Sequence, residues 1–433
     1  MISRRKLLEI TIGSGAALAL TPELLRALQA VQQPGGALIQ RAIPSTGESI
    51  PTVGLSFSNH VACADRTALK EVVRTFADNG ARVFDAMHGS ADSERFHATV
   101  AKELGIQDRL FWSTRGTPPG GPGGPTPPVA ASVNTHIETW LERLGVPRMD
   151  LVMLGTGGDP AAFATWFAAL KAHKQAGRVR DIGVQAIGRN GAGEYPGVEA
   201  VMRNEQIDFI GVNYDVGDRE RVENVVLPLA RERKIGVMAF FPFGNNAGTS
   251  CGAVSRNLFA RVGNRPLPEW AAEFDATTWA QFFLKYVISH PDVTVARVGT
   301  TKVTHMVDNI GGGIGRLPDE ATRKRMAAFI DALPAVAAPP PAPQAPGIAL
   351  SAAILDRYVG EYQAASGLTA AFRRDETTLL VRLNTGGEYP LSARSETRFQ
   401  RREVFFEFQP DGQGKVTSAI MEQNAQRMPL TRK

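Results

Sequence analysis

The stretch Arg82-Val83-Phe84-Asp85-Ala86-Met87-His88-Gly89-Ser90-Ala91-Asp92-Ser93-Glu94 decides how the rest of the chain folds. A short apolar run ends in an acid, breaks at a glycine and restarts as a helix after Ser93, which is the pattern of a βα turn. In an α/β sheet such turns sit at the C-terminal ends of the strands, where ligands bind. Asp85 is therefore expected to face whatever the sheet holds.

Outward from that turn the same alternation repeats. Short apolar runs fall at residues 52–56, 83–85, 110–114, 150–154, 181–185, 209–213, 236–240 and 293–296, with helical patterns between them. Asp65 is placed to cap a helix burying Leu69, Val72, Val73 and Phe76, positions that share one face, with Gly80 as the stop. Ser93 opens a second helix with Phe96, Val100 and Leu104 inward. Val133, Ile137, Trp140, Leu141 and Leu144 form a third stripe. Asp159-Pro160 reads as an N-cap followed by proline at the first helical position, before Phe163, Trp166, Phe167 and Leu170. Eight strand–helix units predict a (β/α)₈ TIM barrel. An open doubly wound sheet would show a Gly-rich turn after its first strand, and Phe57-Ser58-Asn59-His60 stands there instead. Ahead of the barrel, residues 38–51 read as a hairpin turning at Ser45-Thr46-Gly47. Two long segments, 116–128 and 245–275, follow the third and seventh strands and are expected to be binding loops or lids.

The chain has 433 residues and a formal charge of +5, small for its length, without a long basic run, so nucleic acid is not expected as a partner. Ser3-Arg4-Arg5-Lys6-Leu7-Leu8 precedes a mildly apolar run too short to span a bilayer. Residues 1–30 resemble a twin-arginine signal, which implies the Tat export machinery as a partner, a periplasmic or exported location and no stable transmembrane segment. A basic N-terminal helix without an address is the plainer alternative. Only Cys63 and Cys251 occur, too few for a structural zinc site. Both follow strands, so they are candidates for a disulfide on export, with two buried thiols as the alternative. Residues 334–347 form a Pro/Ala linker. Beyond it, residues 348–433 lose the helical period, and 369–374, 379–383, 398–401, 404–409 and 416–422 alternate as strands of a small antiparallel β domain. Its opening Leu355-Asp356-Arg357-Tyr358-Val359-Gly360-Glu361-Tyr362 resembles the uncharacterised β module appended to exported bacterial hydrolases.

Several motifs, in order and at barrel spacing, resemble the aldo/keto reductase family. They are Ile43-Pro44-Ser45-Thr46-Gly47-Glu48 through Pro51-Thr52-Val53-Gly54-Leu55, Phe84-Asp85 with Ser93-Glu94, and Arg143-Leu144-Gly145 through Asp150-Leu151. Further on come Gly177-Arg178-Val179-Arg180-Asp181-Ile182-Gly183-Val184, Leu227-Pro228-Leu229-Ala230-Arg231-Glu232-Arg233, Ser289-His290-Pro291 and Gly299-Thr300-Thr301. The resemblance covers residues 38–333 and implies a barrel that binds NADP or NAD and passes hydride to a small-molecule carbonyl substrate. Hydride arriving at carbon leaves an alkoxide, which must be stabilised and protonated as it forms. The family uses a Tyr as donor, a Lys and an Asp that tune it, and a His that orients substrate. By resemblance Asp85 is retained, the Tyr position holds His88 or Ser90 depending on the gap, the Lys position is Arg115 and the His position is Gly155. Guanidinium stays protonated where lysine would tune a phenol. His88 is the substitute donor in view, with a surface-loop role as the alternative.

The resemblance also implies cofactor contacts. Phe240, in Ala239-Phe240-Phe241-Pro242-Phe243-Gly244, stands where an aromatic stacks on nicotinamide, and is equally a candidate core residue. Thr300, Thr301 and Lys302 open a helix suited to a phosphate, with His305 and Asn309 further along and Asn309 expected at adenine. Helix capping by either threonine explains part of that pattern. Gln185-Ala186 replaces the amide-recognising Ser-Asn pair, and Gly211 replaces a Gln. An oxidoreductase with non-standard proton-transfer residues, a non-catalytic periplasmic binding or scaffold barrel, and sugar or lyase chemistry on Asp85, His88 and Arg115 all fit.

Overall fold

The computed structural model describes residues 36–56, 61, 64–86, 91–116, 130–156, 160–186, 195–244, 258–334, 347–364, 368–383, 388–401, 404–423 and 426–433. Outside them lie the signal-like segment, most of the linker, Cys63, Cys251, His88, Ser90 and Asp159. The chain divides into two compact units between Val336 and Ala337. No helix among the described residues is long and apolar enough to cross a membrane.

The first unit opens with an antiparallel pair, β1 (Gln40–Ala42) and β2 (Ser49–Pro51), around a turn in which Gly47 takes φ 76°. A closed parallel barrel follows, built from β3 (Val53–Leu55), β4 (Val83–Asp85), β5 (Phe111–Gly116), β6 (Met149–Gly155), β7 (Val179–Ala186), β8 (Phe209–Asn213), β9 (Gly236–Phe240) and β10 (Val295–Val298). The last strand pairs with the first, so no barrel edge is left open. Around it run α1 (Arg66–Asp78), α2 (Ala91–Glu103), α3 (Ala130–Leu144), α4 (Pro160–Gln175), α5 (Tyr195–Asn204), α6 (Leu227–Arg233), α7 (Leu258–Val262), α8 (Trp279–Ser289), α9 (Val303–Gly312) and α10 (Glu320–Asp331).

Period-two alternation sorts each strand between two cores. Val83, Phe111, Leu151, Met153, Phe209, Met238, Phe240 and Val295 pack together inside the barrel. Their neighbours Phe84, Trp112, Val152, Leu154, Ile210, Val212, Val237, Ala239, Ala296 and Val298 pack against the helices. Ile43 and Ile50 of the hairpin join the inner group and so close its N-terminal end. Glu48 fixes that plug by pairing with Arg82 at 2.7 Å and Arg180 at 3.0 Å.

Helix α1 matches the sequence pattern: Asp65 accepts the Ala68 amide at 2.8 Å, and Leu69, Val72, Val73 and Phe76 are buried. Helix α2 keeps its stripe as well, with Val100 buried and Phe96 and Leu104 packed against the core. It starts at Ala91 and also buries Ser93, Glu94 and His97. Glu94 pairs there with Arg143 of α3 at 2.5 Å. The 245–275 segment is different from an open loop in its described half. Helix α7 and a 3₁₀ turn at Glu269–Phe274 bring Trp270 onto Phe282 at 5.6 Å, and Asp275 pairs with Arg316 at 2.6 Å.

The second unit carries a short helix, α11 (Ala352–Asp356), and an antiparallel barrel in which each strand pairs with the next and the last with the first. Its strands are β11 (Gly360–Ala364), β12 (Thr369–Asp375), β13 (Thr378–Leu383), β14 (Glu388–Ala393), β15 (Arg398–Arg401), β16 (Val404–Pro410), β17 (Val416–Gln423) and β18 (Gln426–Arg432). The sequence pattern had marked only part of this set. Strands β14 and β18 contain Pro390 and Pro429, and a proline lowers any strand reading because it cannot donate to the ladder. Aromatic rings fill the interior, with Tyr358 stacked on Phe408 at 4.4 Å and Phe372 edge-on to Phe408 at 4.9 Å.

His97 gives the first unit a measurable pH response. It lies edge-on to Phe84 at 5.1 Å, and burial lowers its pKa from 6.5 to about 4, offset only in part by Asp85 and Glu94. With the native pKa below the unfolded one, stability is whole above about 6.5 and is lost as pH falls toward 4. Asp181, raised to about 6 by burial, acts with the opposite sign because the native state takes its proton first. Subtracting denaturant-unfolding curves of His97→Leu from wild type isolates the histidine. The difference is expected to move by up to about 3 kcal/mol between pH 7 and pH 4, and a flat difference would exclude this role.

Candidate active site

Asp85 ends β4 with its side chain inside the barrel, on the same parity as Val83. The carboxylate is 0% exposed, so its charge is tolerable only if it is paired. Two guanidinium groups supply that pairing. Arg297 Nη1 donates to Oδ2 at 2.5 Å, and Arg115 Nε stands 3.5 Å from the same oxygen. The Ser113 hydroxyl donates to Oδ1 at 3.2 Å. Arg115 and Arg297 are 5% and 8% exposed, and Gln185 accepts from Arg115 Nη1 at 3.3 Å. Burial, then the nearby Arg297 charge, pull the Arg115 pKa down to about 9, with Asp85 opposing them.

Phe240 completes the group. Its ring lies 4.7 Å from the Arg115 guanidinium and 4.4 Å from that of Arg297, within cation–π range. The residue is 0% exposed, so it offers no face to solvent. Gly211 makes its position possible: a Cβ there would stand 2.4 Å from Phe240 Cε2. The glycine that looked like a lost polar contact is thus the space this ring occupies. The half-buried aromatic at the same strand end is Phe241, held at φ 54° with its ring 5.7 Å from Arg297. A non-glycine residue in that conformation costs about 1–2 kcal/mol.

Asp85, Arg115, Gln185 and Phe240 therefore converge. Thr300, Thr301, Lys302 and Asn309 form a second group where β10 leads into α9. Thr300 Oγ1 accepts the Lys302 amide at 3.1 Å, and Lys302 occupies the N-cap of α9 without a side-chain cap bond. Neither threonine caps the helix, which leaves its first amides open toward an anion. Lys302 is exposed, Thr301 half-buried and Asn309 buried on the following turn.

The family model for the aldo/keto reductase family matches residues 54–325. The chain belongs to the aldo/keto reductase family. No curated protein matches it in a sequence comparison. Among solved structures, the holo form of aldo-keto reductase AKR11C1 from Bacillus halodurans aligns with TM-score 0.53 at 19% identity, covering 69% of this chain and 97% of that one. The thermostable aldo-keto reductase Tm1743, solved with the inhibitor epalrestat, gives 0.51 at 17% identity, with coverages of 67% and 100%. An aldo-keto reductase from Klebsiella pneumoniae in complex with NADPH gives 0.50 at 18% identity, covering 68% and 96%. At such identities these likenesses establish the fold.

Within this aldo/keto reductase barrel the residue that sequence reasoning missed is Arg297. The apolar run had been ended at Ala296, whereas the strand spans Val295–Val298 because Val293 is held in a turn by the His290 carbonyl at 3.1 Å. A charge two residues after an inward valine was the available signal. Ser113 was missed for want of any, since a small polar residue within a strand is ordinary.

Asp85→Asn leaves two buried cations with no acid and is expected to cost about 3–5 kcal/mol in denaturant unfolding. Adding Arg115→Met and Arg297→Met to it should recover most of that loss. A single variant within about 0.5 kcal/mol of wild type would mean that the carboxylate does not hold the cluster.

Proposed function

We propose that this chain is an NADP(H)-dependent reductase of small carbonyl compounds, exported by the twin-arginine route, with His88, Arg115 and Asp85 in place of the family's usual proton-transfer set. The observation that carries it is the buried contact between Asp85 and Arg115 at the strand ends of an aldo/keto reductase barrel. The NADPH-bound aldo-keto reductase that shares this fold supports a nicotinamide cofactor. Thr300, Thr301 and Lys302, at an uncapped helix start, suit its phosphates, and Asn309 suits adenine. At the nicotinamide end Phe240 has no open face, so Phe241 is the ring assigned to it. When bound, the cofactor supplies the hydride.

The chain's own residues do the rest. A carbonyl oxygen that gains negative charge near Arg115 and Arg297 is stabilised by two buried guanidinium groups, whose field is little screened. Asp85 keeps those groups in place. His88, three residues beyond Asp85, supplies the proton as imidazolium, because imidazole titrates near neutrality, where both guanidinium groups hold their protons.

Nicotinamide fluorescence on the purified protein is expected to show saturable NADPH binding, and an aldehyde panel to show reduction. His88→Ala should lower kcat by about a hundredfold or more, while Ser90→Ala leaves it within about twofold. NADPH binding without reduction of any carbonyl would leave a binding protein, and no binding of NADPH or NADH would end the oxidoreductase reading. Export is tested separately: Arg4→Lys with Arg5→Lys should hold the protein in the cytoplasm, and unchanged periplasmic recovery would remove the twin-arginine assignment.

A further inference from the structure

Among the described residues the charges inside the barrel do not balance. Arg115 and Arg297 share one carboxylate, and among the described residues neither lies within 4.0 Å of another acid. One positive charge is therefore left over in a group of side chains that water barely reaches, which is costly unless an anion completes it. The hydrogen bonds show which nitrogens are taken. Arg297 Nη1 donates to Asp85 at 2.5 Å, and Arg115 Nη1 to Gln185 at 3.3 Å. Arg115 Nε and Nη2 are both buried and make no hydrogen bond among the described residues; the 3.5 Å approach of Nε to Asp85 is an ion pair only. Those two nitrogens form one edge of the guanidinium plane, the edge that grips two oxygens side by side.

We propose that the Nε/Nη2 edge of Arg115 is the docking point for the carboxylate of a small organic acid, so that the compound reduced here is a keto acid. Calling that acid a substrate rests on the reductase activity proposed above; the binding itself does not. One unit of charge is missing, and a carboxylate supplies one, whereas a phosphomonoester would carry about −1.5 to −2 and overshoot. Two coplanar oxygens match two coplanar N–H groups, a fit that lysine's ammonium would not reproduce. Asp85 holds Arg297 Nη1, and the incoming acid meets the buried open edge of Arg115. A 2-oxo acid docked there keeps its carbonyl in the field of both arginines. The unfavourable burial that lowers Arg115 toward 9 is relieved in the same event.

The full chain is titrated without cofactor against acetate, pyruvate, acetamide and inorganic phosphate, by calorimetry and thermal shift. Acetate and pyruvate should bind saturably and raise Tm, and acetamide should not. Arg115→Met should weaken the carboxylates by about tenfold or more, while its NADPH binding and wild-type-like circular dichroism show that fold and cofactor site persist. Arg115→Lys should restore little. Equal carboxylate binding by wild type and Arg115→Met overturns the proposal. So does acetamide binding as tightly as acetate, tighter binding of phosphate than of either acid, or no carboxylate binding at all. Because the titration omits NADPH, a chain that binds acids but no nicotinamide would defeat the reductase reading and leave this site standing.

Discussion

A single carboxylate held between two guanidinium groups in the interior of a closed barrel is the constraint from which the rest of this site follows. Asp85 and Arg115 end the adjacent strands β4 and β5, and closure of β10 onto β3 brings Arg297, more than 170 residues further on, to join them. Once there they cannot be hydrated, so each polar atom needs a protein partner or a ligand. Ser113 and Gln185 meet part of that demand, Phe240 presents its ring to the cations, and Gly211 gives the ring its room.

The two ends of the first barrel solve opposite problems. At the N-terminal end Ile43 and Ile50 close the interior with apolar contact, and Glu48 ties the hairpin to Arg82 and Arg180. At the other end the interior turns from apolar to charged within one or two inward positions along several strands, from Val83 to Asp85, from Val295 to Arg297, and from Phe111 through Ser113 to Arg115. This is the division expected of barrels whose chemistry sits at the C-terminal face and whose stability is secured at the base. The second unit resolves the matter differently, since Tyr358, Tyr362, Phe372, Phe399, Phe406 and Phe408 fill its barrel with rings.

The departures from sequence expectation have different causes. In β10 a local turn at His290 starts the strand at Val295, and the inward parity of Val295 carries on to Arg297. At the end of β9 the aromatic pair Phe240-Phe241 was legible as a motif, but which ring would be buried was not. There the space left by Gly211 on the neighbouring strand decided, and a local pattern carries no record of so distant a partner.

What the sequence determined by itself was periodic and local: alternating strand and helix units, the Asp65 cap, the acid at the end of β4, and the ordered motifs that mark the family. These follow from backbone geometry and near-neighbour sterics, which act over a few residues. Tertiary structure alone decided the balance of charge at the site, because two arginines and one aspartate add up to a surplus only after barrel closure has stripped away the water that would have hidden it.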